Sequence, residues 1–144
     1  MEKRNSDKLA KAIRALEDAI KYSRSGEFQG LNIEFKSVLI ASVVQNFNLT
    51  LRVCRQMIAL QLSEQVGPQA VTGKTPQEMF RSAAGEGIIG NLSHWLEYLE
   101  CEHLSQTSQV ALRTFEKASA FVADAGELLR TCTRRLENER RRAA

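Results

Sequence analysis

Two histidines, three cysteines and a cluster of carboxylates are the side chains here that could move protons, hold a metal or attack an electrophile. His94 stands between Ser93 and Trp95, and His103 lies in the run Glu102-His103-Leu104-Ser105. A seryl nucleophile needs a base brought to it by the fold. Ser105 is a near chain neighbour of His103, and the spacing supplies no such geometry. Glu100 and His103 make one Glu-x-x-His, whereas a di-iron bundle draws that motif from each of two helices, and no second copy exists. The pairs Glu97/Glu100 and Glu100/Glu102 fall on the outer side of a helix and read as solvation. Cys54, Cys101 and Cys132 are far apart, with no CxxC or Cys/His spacing, so they are expected to be small buried hydrophobes. There is no GxGxxG, GxxxxGK[ST], HExxH or GxSxG. Neither a metal nor a cofactor is expected.

The charged end of the chain offers a different chemistry. Arg134, Arg135, Arg140, Arg141 and Arg142 face only Glu137 and Glu139. Such a run can touch nucleic-acid phosphates, but the aromatic residues that stack bases in single-strand binders are missing from it. A helix that ends in arginine also complements its own dipole and frays into water. Nucleic acid is therefore allowed as a partner without being favoured, and residues 134–144 are expected to form a frayed end.

These residues must be positioned by one domain spanning 1–144, because 144 residues suffice for a single core and not for two. The composition is 43% hydrophobic and 26% charged with a net charge of +3, which excludes a disordered chain and a disulfide scaffold. The first residues, MEKRNSDKLAKA, lack the apolar stretch of a signal peptide. The longest apolar run, Ser37 to Val44, is short of the ~20 residues of a membrane span. A cytoplasmic location without membrane contact is expected.

Helical periodicity then runs almost end to end. Leu9, Ile13, Leu16 and Ile20 mark a first helix, with Ser6 or Asp7 as its cap and Gly26 as its stop. Ile40, Val44, Phe47, Leu51, Cys54 and Ile58 alternate fours and threes, predicting a long second helix from about Ile33 to about Gln65. Gly67, Pro68, Gly73 and Pro76 break the chain into a loop. Thr75-Pro76-Gln77-Glu78 is a capping box with proline at the first helical position, predicting a short helix through Ala84. Trp95, Leu96 and Leu99 mark a further helix from near Asn91 or Ser93 to about His103. The last helix carries Ala111, Phe115, Ala118, Val122, Ala125, Leu129, Cys132 and Leu136 on one seam. No stretch alternates with period two for long enough to make a sheet. The fold class is all-α: an antiparallel up-down four-helix bundle with one short extra helix in the loop between helices two and four.

In the order of its motifs the chain resembles the HEPN superfamily, in particular the nucleotidyltransferase substrate-binding proteins, over roughly Leu31 to Ser108. That group carries a signature like Gln-x-Phe-Glu-x-x-x-Glu-Leu-x-Trp-Lys on its second helix. Gln45 and Phe47 match it, while Asn48, Arg52, Arg55 and Gln56 replace Glu, Glu, Trp and Lys. The Pro76-led short helix, Gly87-Ile88-Ile89 and Trp95 are similar to its Gly-Leu-Ile…Trp stretch. Ribonuclease toxins of the superfamily also carry Arg-x4-His-x-Tyr, and here Cys101, Gln106 and Ser108 occupy those three positions. Cysteine and glutamine neither stabilise a phosphorane charge nor move a proton at neutral pH.

The resemblance thus implies a bundle that keeps the fold and has lost the active site. The implied function is non-catalytic pairing with a minimal nucleotidyltransferase encoded nearby, toxin–antitoxin-like and prokaryotic, with the bundle binding or presenting that enzyme's substrate. Gln45, Arg52, Arg55, Trp95 and His103 are the candidate binding residues. The alternatives are a divergent ribonuclease using His103 and the C-terminal arginines, or a nucleic-acid-binding regulatory bundle using Arg140–Arg142. A homodimer is expected as well. The seams of the second and last helices outrun the helices available to cover them, and each exposed Leu or Val forfeits ~1.5–3 kcal/mol.

Overall fold

The computed structural model describes residues 3–25, 30, 33–103 and 108–143, and among them every regular element is helical. The order is α1 (Lys3–Ser23), α2 (Ile33–Gln65), a 3-10 turn (Pro68–Ala70), α3 (Pro76–Gly85), α4 (Leu92–His103) and α5 (Ser108–Ala143). The chain is the expected bundle with its short extra helix.

Helix α1 buries Leu9, Ile13, Leu16 and Ile20, the face its spacing predicts. Its ends differ from expectation. It begins at Lys3, so Ser6 and Asp7 lie within the helix and cap nothing. Lys3 and Arg4 have helix propensities close to alanine's and extend it. It ends at Ser23, ahead of the expected stop Gly26, which lies outside the described residues. The Ser23 hydroxyl donates to the Ile20 carbonyl and Ser25 donates to the Tyr22 carbonyl, both at 2.7 Å. Such local side-chain bonds compete with the helical ladder.

Helix α2 runs over the predicted span, about 50 Å at 1.5 Å per residue. Phe47, Leu51, Cys54 and Ile58 of the predicted seam are buried, while Ile40 and Val44 are half-buried. Val43, Val53, Met57 and Leu62 are buried outside that seam. The burial arc is wider than a heptad stripe because α1, α3 and α5 all pack on α2. From Phe35 to Gln65 this helix is long and apolar enough, by length and composition alone, to cross a membrane, which the count of uninterrupted apolar residues does not anticipate. Its buried face is the bundle core and its opposite face carries Gln45, Arg52 and Gln56, the pattern of a core helix.

Thr75 accepts from the Glu78 amide at 3.2 Å, with Pro76 opening α3 as predicted. Among the described residues the capping box is half-formed: the Glu78 side chain is exposed and makes no bond back to Thr75. Helix α4 then packs Trp95 and Tyr98 into an aromatic cluster with Phe47, Phe80 and Phe121. Phe47 and Phe121 approach to 4.5 Å between centroids, and Trp95 meets Phe80 edge-on at 5.6 Å.

Helix α5 lies parallel to α2 and antiparallel to α1 and α4. Arg24 near the end of α1 donates to Ser119 at 2.8 Å. On α4, His94, Glu97 and Glu100 pair with Asp124, Lys117 and Arg113 respectively. The buried stripe of α5 is Thr114, Ala118, Phe121, Ala125, Leu128 and Cys132. This is rotated from the predicted seam, which shares only Ala118, Ala125 and Cys132 with it. Phe115, Val122 and Leu129 pack partly against the core. The α5 half of the seam offered above as a dimer surface is therefore partly covered within one chain, since α1 as well as α2 packs on α5. Residues 134–143, expected as a frayed end, continue the helix.

Candidate functional site

On α2 the polar face concentrates in two turns. Gln45, Asn46, Asn48, Leu49 and Arg52 line a groove of about 470 Å³, within the range of small-molecule sites. Helical spacing puts Gln45, Asn48 and Arg52 along one edge, at steps of three and four. Asn46 is committed to the backbone, donating from its amide to the Ser42 carbonyl at 2.8 Å. Asn48 Oδ1 is buried and, among the described residues, has no hydrogen-bond donor facing it. Buried acceptors are ordinarily satisfied, so this oxygen stands out as an unmet acceptor on a residue that lines the groove. Arg52 is exposed and supplies the positive charge of the groove.

One turn further along α2, Arg55 Nη1 pairs with Glu102 Oε1 of α4 at 2.7 Å. Glu102 Oε2 is buried and, among the described residues, unpartnered. Arg55 is therefore occupied in tying α4 to α2, and the two free oxygens of Asn48 and Glu102 are both acceptors.

The structure brings together Gln45 and Arg52 of the predicted binding residues, adds Asn48, and removes Trp95. Trp95 is 1% exposed and packs against Phe80, Tyr98 and Phe121. It is a core residue, because a ring of that size on the inner face of a short helix fills the space between α3 and α5. His103 ends α4, Ser108 begins α5, and the side chains of both lie outside the described residues, as does Gln106 entirely. Cys101, at the position of the ribonuclease arginine, is buried. Cys54 and Cys132 are buried too, as expected for small hydrophobes. Burial pushes the Cys132 thiol up to about 11 and moves the Cys54 thiol well above its ordinary range, so neither is a thiolate nucleophile at neutral pH.

One polar network has no sequence signature. Asp124 Oδ2 accepts from the Tyr98 hydroxyl at 2.5 Å and lies 3.1 Å from His94 Nδ1. His94 Nε2 meets the Asn91 amide nitrogen at 3.1 Å, and Asn91 Oδ1 accepts from Ser93 at 2.8 Å. In the arrangement where the Asn91 amide donates to Nε2, Nδ1–H donates to Asp124. Burial, then the bond to Asp124, holds the Tyr98 phenol far above its ordinary pKa. The imidazole resembles an oriented base, but its outer nitrogen is taken by Asn91, and the network's work is to fasten α4 to α5. Its partners lie some thirty residues apart, so no local motif reveals them. Glu97 and Glu100, read as solvation, each face a cation of α5. The bond from Lys117 at 2.6 Å holds the Glu97 carboxyl below its usual range. Among the described residues no group of His, Cys, Asp and Glu could hold a metal ion.

Comparison with known proteins points in one direction. A family model described as nucleotidyltransferase substrate binding protein like matches residues 4–134. The solved structure of HI0074 from Haemophilus influenzae, described as revealing the fold of a substrate binding domain of a nucleotidyltransferase, superposes with a TM-score of 0.81 at 20% identity. The match covers 89% of this chain and 98% of that one, and at this identity it establishes the shared fold. No curated protein matches the sequence.

Proposed function

The chain belongs to the family of nucleotidyltransferase substrate-binding-like proteins, and from that premise we propose that it is a non-catalytic bundle that pairs with a minimal nucleotidyltransferase and holds that enzyme's substrate in the α2 groove. The observation that carries this reading is the groove itself: three primary amides and one arginine, with an unsatisfied buried acceptor at Asn48. Amides and a fixed cation bind and orient; they do not exchange protons near neutral pH. The buried Cys101 in place of an arginine supports the same conclusion, since a thiol cannot stabilise the charge of a phosphoryl intermediate. The protein is proposed to work in the cytoplasm.

The outer face of α2 is also the proposed meeting surface. Val38, Leu49 and Leu60 are exposed at intervals of eleven residues, which is three turns and nearly the same direction. Leu49 belongs both to this stripe and to the groove. We place a homodimer contact here on α2, so that the partner copy stands beside the groove. Co-expression with a small nucleotidyltransferase from the neighbouring gene, followed by affinity capture, tests the pairing. A stable complex is expected, and its absence at micromolar concentrations of both chains sinks the proposal. Sedimentation equilibrium tests the dimer: a species of twice the 16.2 kDa chain is expected, and a single 16.2 kDa species independent of concentration refutes it.

A further inference from the structure

The last helix runs past the residues that the family model matches. The family match stops at residue 134, whereas α5 continues to Ala143, more than two further turns. Every residue from Glu137 to Ala143 is exposed, so the core does not require this extension. It is also where the arginines gather: Arg140, Arg141 and Arg142 form its last turn.

At the base of the extension, α5 and the end of α2 flank a second groove, of about 210 Å³, lined by Gln61, Gln65, Arg135, Asn138, Glu139 and Arg142. Arg135 Nη2 donates to the Glu86 carbonyl at 3.2 Å, which fixes the guanidinium in place. Its Nη1 is buried and, among the described residues, has no acceptor. A fixed guanidinium with an unused donor, inside a groove that a second arginine also lines, is the half-built form of a bidentate anion site.

We propose that this pole binds the phosphate backbone of a double-stranded nucleic acid, with Arg135 Nη1 donating to a phosphate oxygen in the groove that Arg142 also lines, and Arg140 and Arg141 adding positive charge beside it. Successive helix positions are ~100° apart, so the three terminal arginines spread positive charge round the end of the helix. Neither the groove nor the extension carries an aromatic side chain. That omits the stacking platform of single-strand binders and favours backbone contacts on a duplex. Glu139 lines the same groove and opposes the bound charge.

The proposal stands apart from the pairing with a transferase and fails separately from it. It is tested by fluorescence anisotropy with labelled duplex DNA and duplex RNA of equal length, titrated between about 50 and 200 mM salt. For three to four phosphate contacts, the logarithm of affinity should fall against the logarithm of salt with a slope near −3, at roughly −0.9 per contact. R140Q/R141Q/R142Q should flatten that slope by about 2 to 3, and E139Q should tighten binding. All four positions are exposed, so unchanged circular dichroism and melting will show that folding is intact. The DNA and RNA arms distinguish which duplex is held. No binding at low salt, or an undiminished slope in the triple variant, overturns the proposal. So does a triple variant that loses only its grip on an acidic protein partner.

Discussion

Replacing Asp124 with alanine isolates the fastening of α4 to α5. The Tyr98 hydroxyl donates to this carboxylate at 2.5 Å from a residue only 2% exposed, surrounded by Phe47, Trp95 and Phe121. In Asp124→Ala the hydroxyl has no acceptor and no ready access to water. An unsatisfied buried group costs about 1–3 kcal/mol, and hydrogen bonds to charged partners stand at the upper end. The His94 bond at 3.1 Å is lost too, but that ring is 43% exposed and can turn to solvent, so it adds little. The total is about 2.5 kcal/mol, or a fall of roughly 5–10 °C in Tm for a domain near this size. Tyr98→Phe removes the donor and leaves Asp124 its histidine, costing about 1 kcal/mol. In the double variant nothing is left stranded, so the two effects should couple by about 1 kcal/mol. Urea denaturation followed by the fluorescence of Trp95, the single tryptophan and a neighbour of Tyr98 at 5.7 Å, reads all three. Strict additivity, or an Asp124→Ala variant within about 0.5 kcal/mol of the parent, would refute the reasoning.

Further outcomes follow from the same geometry. Trp95→Ala should cost about 3–5 kcal/mol in urea denaturation, because the indole is fully packed and the site cannot collapse. Thr75→Ala should cost about 1 kcal/mol, while Glu78→Ala should change little, because only one half of the capping box is formed. Tyr98, Cys54 and Cys132 all keep their protons in the folded state beyond the pH at which the unfolded chain releases them. Stability should therefore be full below about pH 8.5 and fall as pH rises from there through about 11, and Cys132→Ala should flatten that decline in melts taken across the range. Arg52→Ala should leave the melting temperature unchanged, since the side chain is exposed, and weaken substrate retention in the complex with the transferase.

What the sequence makes legible is set by how local each determinant is. The bounds of α2 follow from a long run of threes and fours closed by Gly67 and Pro68, and the structure reproduces them. The start of α3 follows from Thr75 and Pro76, whose effect is chemical and contained within one turn. The rotation of the buried stripe on α5 is a different matter. Phe115, Phe121, Val122 and Leu128 leave the apolar side of that helix wide enough for two seams, and the choice between them is made by where α1 and α2 press. The α5 half of the expected dimer surface is partly covered for the same reason: a count of exposed seams must know every helix that covers them. Within the candidate groove, Gln45, Asn48 and Arg52 all stand at signature positions of the resemblance, but that Asn48 is a binding candidate appears only once its carbonyl oxygen is found buried and unmet. Trp95 matched the motif and proved to be core, because an indole on a short inner helix is worth more as packing than as a ligand contact. The join of His94, Asp124 and Tyr98 depends on two helices meeting in one register, which periodicity alone does not determine.

Nucleotide transfer by the reconstituted pair tests the central claim most directly. The neighbouring nucleotidyltransferase is assayed for transfer from a labelled nucleoside triphosphate to its acceptor, alone, with this chain, and with the Gln45→Ala/Arg52→Ala variant. The account predicts that transfer depends on the added bundle, that the double variant still co-purifies with the enzyme, and that it loses most of the stimulation through a raised KM for the acceptor. Equal transfer with the parent and the variant, or full transfer by the enzyme alone, would contradict a substrate-holding role for the α2 groove.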